Sequence, residues 1–424
     1  MTRAATPIRV AMVSRRVHPA HGPGGLERHV FDLVTGLAAL GVQVELFSET
    51  PRDTARCQAA DDMLRSVVTP HWVSGRWFPV GDRTGTVVVD RVTNYFIWSS
   101  IVARRVINAP HRPWSVIHAQ GLAGWGLARA RGRRRFSEPF VSTMHGLEEF
   151  RSHVRLKRWA YAPFRRGIRT VARASSAVVT TDHSLRPTIE QHLQVPASSQ
   201  VVIPNVVDPE RCRARGDASH GRALLRQLGL DKPSPLFLSV GRLEVNKGFP
   251  VLVDALRRVA PRLPSSWAWV LVGDGPERDT IAAMAREAGL GRHCRFIGQA
   301  SDRDLHSLYT VTNWFVHPTL YEGSSLVTLE AMAHGLPVVA SRTGGLPDKV
   351  VEGSSGFLVT PGDAADLGNR LVAAVAVDGR AFGAVGQELC ERSFSWRASA
   401  ERHLRMYERL ASGLDPAQSA PGRP

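Results

Sequence analysis

The sequence predicts an α/β protein built of two doubly wound domains in tandem. Three observations carry that reading. The chain has 424 residues, which fits two domains at roughly 100–200 residues each. Apolar residues make up 43% and charged residues 22%, the balance of an ordinary globular chain, which excludes collagen-like repetition and extensive disorder. Short β-rich apolar runs alternate with amphipathic stretches in two successive series.

The first series opens with a strand at 8–14, a glycine-rich loop to Gly25 and a helix at 26–40. In that helix Val30, Leu33, Leu37 and Leu40 recur at helical spacing. Gly41 closes it and a strand follows at 42–47. A strand, helix and strand in this order make a βαβ unit, whose parallel sheet is buried on both faces. Further strands fit 115–119, 140–144, 177–181 and 201–204. The second series places strands at 236–240, 268–272, 294–297, 314–316 and 338–340. Its helices fall at 249–260, 278–288, 302–309 and 325–334. The polar stretch 208–220 reads as the linker, giving domains at 1–208 and 209–395. A helix at 396–412 follows, and 413–424 reads as a disordered tail. Ligands of such sheets bind beyond the carboxyl ends of the strands, so a cleft between two such edges is the expected site.

Composition narrows the classes. The longest apolar runs, such as 267–272, are too short to span a bilayer, and residues 1–16 lack the pattern of a secretory signal. The expectation is a cytoplasmic protein. Cys57, Cys212, Cys294 and Cys390 are widely spaced, so they suggest neither a zinc site nor a redox dithiol. The net charge of +16 is uneven: residues 100–175 hold 16 basic and 3 acidic residues. Such a patch attracts phosphates, an anionic membrane surface or nucleic acid.

Four motifs carry chemistry. Gly22-Pro23-Gly24-Gly25-Leu26-Glu27 joins the first strand to its helix, where glycines let backbone amides approach an anion; it reads equally well as a flexible turn. Arg242 and Lys247 follow the strand 236–240 and precede a helix. Two cations there suit a diphosphate and would stabilise a departing nucleoside diphosphate, although basic residues are more often merely solvated. Glu322 and Glu330 flank a loop-to-helix junction whose amides at Gly323, Ser324, Ser325 and Leu326 are free to donate. Glu330 is placed to hold a ribose diol or to lie on a solvated face, and two carboxylates also admit a glycosidase. His145 before Gly146 ends a strand, as His118 does earlier. Gly273-Asp274-Gly275-Pro276 and Gly344-Gly345 are turns that permit close ligand approach.

In their order along nearly the whole chain, these residues resemble the family 4 glycosyltransferases of the GT-B fold. Gly24-Gly25, His145-Gly146 and Pro204-Asn205-Val206-Val207-Asp208 fall in the first half. Gly241-Arg242 with Lys247-Gly248, the turn at 273–276, Glu322 with Glu330-Ala331-Met332-Ala333, and Gly344-Gly345 fall in the second. The resemblance implies two Rossmann-like domains facing across a cleft, acceptor-binding then donor-binding, with the helix 396–412 packed back on the first. It implies retaining transfer of a hexosyl or N-acetylhexosaminyl group from a nucleotide diphosphosugar to a glycan, a lipid-linked or a small-molecule acceptor. His145, Glu322, Arg242 and Lys247 would be the catalytic group. Gly25, Arg242, Lys247, Gly323, Ser324, Ser325, Leu326 and Glu330 would bind the donor, and Gly24, Gly25 and His145 would face the acceptor. No metal and no cofactor beyond the nucleotide-sugar co-substrate would be needed. Three positions depart from the family pattern. Gly323-Ser324-Ser325 replaces Gly-Phe-Gly, Asp348 stands for the usual Glu, and Val206 for Gly.

Arg151, Arg155, Arg158, Arg165, Arg169 and Arg173 recur at helical steps, beside an apolar stripe of Val154, Tyr161, Phe164, Ile168 and Val171. Pro163 would kink or split this helix. A basic amphipathic helix at 151–173 suggests peripheral contact with an anionic membrane, although core packing asks for the same apolar stripe. Two other functions compete with transfer: a basic nucleic-acid- or membrane-binding protein on the same scaffold, and a nucleotide-sugar epimerase. No helix-turn-helix, zinc-finger or RNA-recognition signature supports nucleic-acid binding.

Overall fold

The computed structural model describes residues 7–22, 24–51, 54–75, 87–145, 147, 150 and 161–416. The chain divides into two units, Asn205–Ser395 being one, and Met1–Pro204 with Trp396–Pro424 the other.

The first unit holds seven strands: β1 (Arg9–Val13), β2 (Gln43–Glu49), β3 (Thr69–Val73), β4 (Val116–Gln120), β5 (Phe140–Met144), β6 (Ala177–Thr180) and β7 (Gln200–Val202). They run parallel in the order β3-β2-β1-β4-β5-β6-β7. Successive residues of a strand point to opposite faces, and both faces are buried here. Ala11 and Val13 pack with Trp98, Val102, Phe140 and Val171. Val10 and Met12 pack with Val30, Leu37, Met406 and Tyr407. The last two come from the C-terminal helix Trp396–Ala411, which lies on the helix Gly25–Ala39. A Cβ on Gly36 would stand 3.0 Å from Ala400 Cβ, so the absence of a side chain lets the two helices approach. Burying Met406, Tyr407 and Leu410 there stabilises this unit by about 2 kcal/mol per side chain.

The second unit holds β8 (Leu236–Val240), β9 (Ala268–Val272), β10 (Cys294–Phe296), β11 (Trp314–His317), β12 (Val338–Ser341) and β13 (Gly356–Val359). The order is β10-β9-β8-β11-β12-β13, again parallel. Each order reverses once, at β1/β4 and at β8/β11, and a reversal opens a crevice at the carboxyl ends of the strands.

Several expectations need correction. The stretch 208–220 is no linker: the unit boundary falls between Pro204 and Asn205. Its two aspartates are helix caps. Asp208 accepts from Arg211 N and starts the helix Pro209–Arg215, and Asp217 accepts from the amides of Ser219 and His220 to start Ala218–Gln227. Of the two outcomes expected at Pro163, a kink or a split, no kink is seen within the described residues. Pro163 lies in the first turn of Ala162–Ala174, where proline's missing N–H removes no helical bond. Residues 151–160 of the expected basic helix, Gly146, and 417–424 of the expected tail lie outside the described residues.

Candidate active site

In the second unit the candidate donor residues gather beyond the carboxyl ends of β8 and β11, at the reversal. After β8 the chain makes a tight turn, Val245–Lys247, and Gly248 starts the helix Phe249–Val259 in the left-handed region at φ +67°. A Cβ on Gly248 would stand 2.1 Å from the Pro318 carbonyl oxygen, so glycine lets this turn seat against the segment after β11. The Leu320 amide and the Thr319 hydroxyl both donate to the Asn246 carbonyl, at 2.8 and 2.9 Å.

That seating brings Lys247 to Glu322. Lys247 Nζ donates to Glu322 Oε2 at 2.7 Å, and His317 Nε2 donates to the same oxygen at 2.9 Å. Burial alone would raise the Glu322 carboxyl, but the hydrogen bonds and charges of His317 and Lys247 hold it down at about 2. Glu322 is therefore an anion at neutral pH. His317 is buried, and its Nδ1 has no hydrogen-bond partner among the described residues.

The helix Leu326–Ala333 begins directly after this loop. Ser325 caps it, accepting from Thr328 N and Thr328 Oγ1 at 3.4 and 2.9 Å. Among the described residues, the backbone amides of Gly323, Ser324, Ser325 and Leu326 donate to nothing. Among the described residues, four amides at the positive end of a helix are thus left without an acceptor, Ser325 being buried and its neighbours half-buried. A second loop braces them: Gly345 N donates to Gly323 O at 3.0 Å, and Lys349 Nζ donates to Ser324 Oγ at 3.0 Å.

Two candidates stand apart from this cluster. The Arg242 side chain is 78% exposed and pairs with Glu244 at 2.8 Å. Glu330 is half-buried on its helix and accepts from Tyr309 Oη at 3.4 Å. Two residues were missed by sequence reasoning. His317 ends a strand, the same signal that singled out His145. Lys349 follows Gly344-Gly345 with nothing in the sequence to mark a lysine that is only 1% exposed.

In the first unit Gly24 caps the helix Gly25–Ala39 and Gly25 is its first residue. Glu27 folds over this end: a Cβ on Gly24 would stand 2.2 Å from Glu27 Oε2. His145 directly follows β5, and its Nε2 donates to Gln120 Oε1, at the end of β4, at 2.7 Å. Its ring meets His29 of the glycine-capped helix edge-on, with centroids 5.1 Å apart. Burial, reinforced by His29 and His403, holds His145 well below the ordinary histidine range, and burial holds His29 at about 4. Both are neutral at pH 7. His118 lies within β4 and bonds Tyr407 Oη at 2.6 Å and Thr143 Oγ1 at 2.7 Å. It is a core residue tying the C-terminal helix to the sheet.

Along the helix Ala162–Ala174, Arg169 donates to the His192 carbonyl at 2.8 Å and Arg173 bonds Gln194. Ile168 and Val171 are buried. This face is partly tied down by its own domain. No helix among the described residues is long and apolar enough to cross a membrane.

Comparison with known proteins identifies the family. Residues 23–211 match the family described as Glycosyltransferase Family 4, and residues 222–376 match Glycosyl transferases group 1. The D-inositol 3-phosphate glycosyltransferase of Salinispora tropica is 30% identical over 431 residues, covering 95% of this chain and 85% of the relative. Among solved structures, sucrose-phosphate synthase from Thermosynechococcus elongatus superposes with a TM-score of 0.71 at 23% identity, covering 96% of this chain and all of that one. HepE of Anabaena in complex with UDP superposes with a TM-score of 0.68 at 20% identity, over 96% of this chain and all of that one. The matches are to transferases, so the nucleic-acid and epimerase readings give way. With its two parallel sheets of GT-B type, the chain belongs to the family 4 glycosyltransferases.

Proposed function

We propose that the second unit holds a nucleotide diphosphosugar beyond β8 and β11, and that the sugar is transferred with retention to an acceptor bound by the first unit. The observation that carries this reading is the cluster of Lys247, His317 and Glu322 beside four backbone amides that have no acceptor among the described residues. Lys247 and Arg242 supply charge to the leaving diphosphate. The amides of 323–326 donate to phosphate or sugar oxygens, Glu322 lies by the donor sugar, and Glu330 holds the ribose. His145, Gly24 and Gly25 form the acceptor side. The bond that breaks joins the anomeric carbon to the diphosphate, and the bond that forms joins that carbon to an acceptor oxygen. In this reading the two cations do the work for which a metal would otherwise serve.

The donor and acceptor to test first come from the relatives: HepE carries UDP, and the Salinispora relative is named for D-inositol 3-phosphate. The deciding experiment is a thermal-shift screen with UDP, GDP, ADP and TDP and their sugar conjugates, without added metal. A ligand that binds the native state raises the melting temperature. One nucleotide giving a shift that Arg242→Ala removes supports the reading; no shift at millimolar ligand overturns it.

Contact of the basic segment 151–173 with the inner face of an anionic membrane is a separate proposal. Co-sedimentation with phosphatidylglycerol vesicles, absent with phosphatidylcholine vesicles, would support it. Equal recovery with both would refute it.

A further inference from the structure

Lys349 is one of four lysines in the chain and is only 1% exposed. An ammonium group taken out of water is expensive unless polar partners compensate it. Its Nζ donates to Ser324 Oγ at 3.0 Å, directly behind the loop that runs from Glu322 to the helix cap Ser325. Ser324 itself is half-buried. The loop is firmly backed: Gly345 N donates to Gly323 O, and Gly344 lies so close that a Cβ there would meet the Glu322 carbonyl oxygen at 1.7 Å.

A serine hydroxyl has one proton and two lone pairs, whereas an ammonium only donates. With Lys349 on a lone pair, the Ser324 proton is left to donate elsewhere, and it meets no acceptor among the described residues. A positive charge behind an O–H polarises it and makes it a stronger donor. The amides of 323–326 and the positive end of the helix Leu326–Ala333 lie alongside. A donor backed by a cation favours an anionic oxygen over a neutral hydroxyl.

We propose that Ser324 and Lys349 act as one unit that selects an anionic oxygen on the donor, either of the diphosphate or of a carboxylate on the sugar. Ser324 makes the contact and Lys349 is a positioning residue. The inference rests on the donor site proposed above.

The test is calorimetric titration of the wild type, Ser324→Ala, Ser324→Thr, Lys349→Met and the double variant Ser324→Ala/Lys349→Met. The ligands are the nucleoside, monophosphate and diphosphate of the base that stabilises the wild type, with its glucose and glucuronate conjugates. Each single loss should weaken the anionic ligand by about tenfold and leave the nucleoside unchanged. The double variant should lose no more than either single one, and Ser324→Thr should bind as the wild type does. A loss shared by the diphosphate and both conjugates assigns the contact to phosphate. A loss confined to the glucuronate conjugate assigns it to the sugar carboxylate. Unchanged affinity for every ligand in Ser324→Ala overturns the proposal, even if Lys349→Met does not fold. A wild type that binds no nucleotide overturns the donor site itself, a distinguishable failure.

Discussion

Lys247 and Glu322 lie 75 positions apart in the chain, yet their side chains meet at 2.7 Å beyond two neighbouring strands. Lys247→Ala should lower turnover of the nucleotide sugar by about a hundredfold or more, the scale of losing one charge-stabilising donor. The fold should survive, because Glu322 keeps its bond from His317. Initial rates, with circular dichroism as the control for folding, check this. Turnover at the wild-type level would remove Lys247 from the mechanism.

Acid stability separates two groups of residues. Glu322 is depressed to about 2, so its stabilisation is complete above the ordinary carboxyl range and fades only as pH falls toward 2. The buried histidines act earlier. His29 is lowered to about 4 and His403 to about 3, chiefly by burial, from 6.5. The unfolded chain therefore takes up protons below pH 6.5 that the folded chain refuses, and stability falls as pH drops. His29→Phe should reduce the slope of unfolding free energy between about pH 6 and pH 5 by about 1 kcal/mol per pH unit. An unchanged slope in denaturant titrations would show that His29 is not held neutral.

Gly344 sits at φ +56°, with the Glu322 carbonyl where a side chain would go. Gly344→Ala should destabilise the chain by more than about 1 kcal/mol and push the Glu322 loop outward, weakening nucleotide binding. Melting temperature and calorimetric affinity should fall together. A variant that melts and binds as the wild type does would mean that the two loops are not in register.

Tyr407 reaches from the C-terminal helix to His118 at 2.6 Å, with both side chains buried. Tyr407→Phe leaves a ring nitrogen without that partner and should cost about 1–3 kcal/mol of stability. Urea unfolding measures it, and a change within experimental error would argue that the bond is dispensable.

Much of this was legible in the sequence. The buried strands announce themselves as apolar runs, because a parallel sheet covered on both faces needs apolar side chains on both. Two strands were missed all the same: β13, an apolar run of only four residues, and β3, since Pro70, His71 and Trp72 resemble a loop. β3 is an edge strand, where proline is tolerated, and His71 and Trp72 are half-buried, bonding Glu45 and Asp61. Asp208 and Asp217 looked like a solvated linker because a helix cap and a linker use the same residue types. Lys247, Glu322 and His145 could be picked by their places after strands. That Lys247 meets Glu322 depends on β8 and β11 being neighbours, a long-range pairing that no local pattern encodes. Lys349 was invisible for the same reason: its partner lies 25 residues away on another loop.

The route of the chain has a consequence for its synthesis. The first unit is made of residues on either side of the second, closing only when Trp396–Ala411 settles on Gly25–Ala39. A ribosome adding about 5–20 residues per second needs roughly ten to forty seconds to make the intervening segment Asn205–Ser395. Throughout that interval the nascent first unit lacks Ala400, Met406, Tyr407 and Leu410, and the apolar surface of Val30, Leu33 and Leu37 stays wet. The second unit, made of one contiguous stretch of chain, can complete its fold before the first unit gains its last helix. The emerging polypeptide is therefore most prone to chaperone capture or aggregation at its beginning, until its last helix is free of the ribosome.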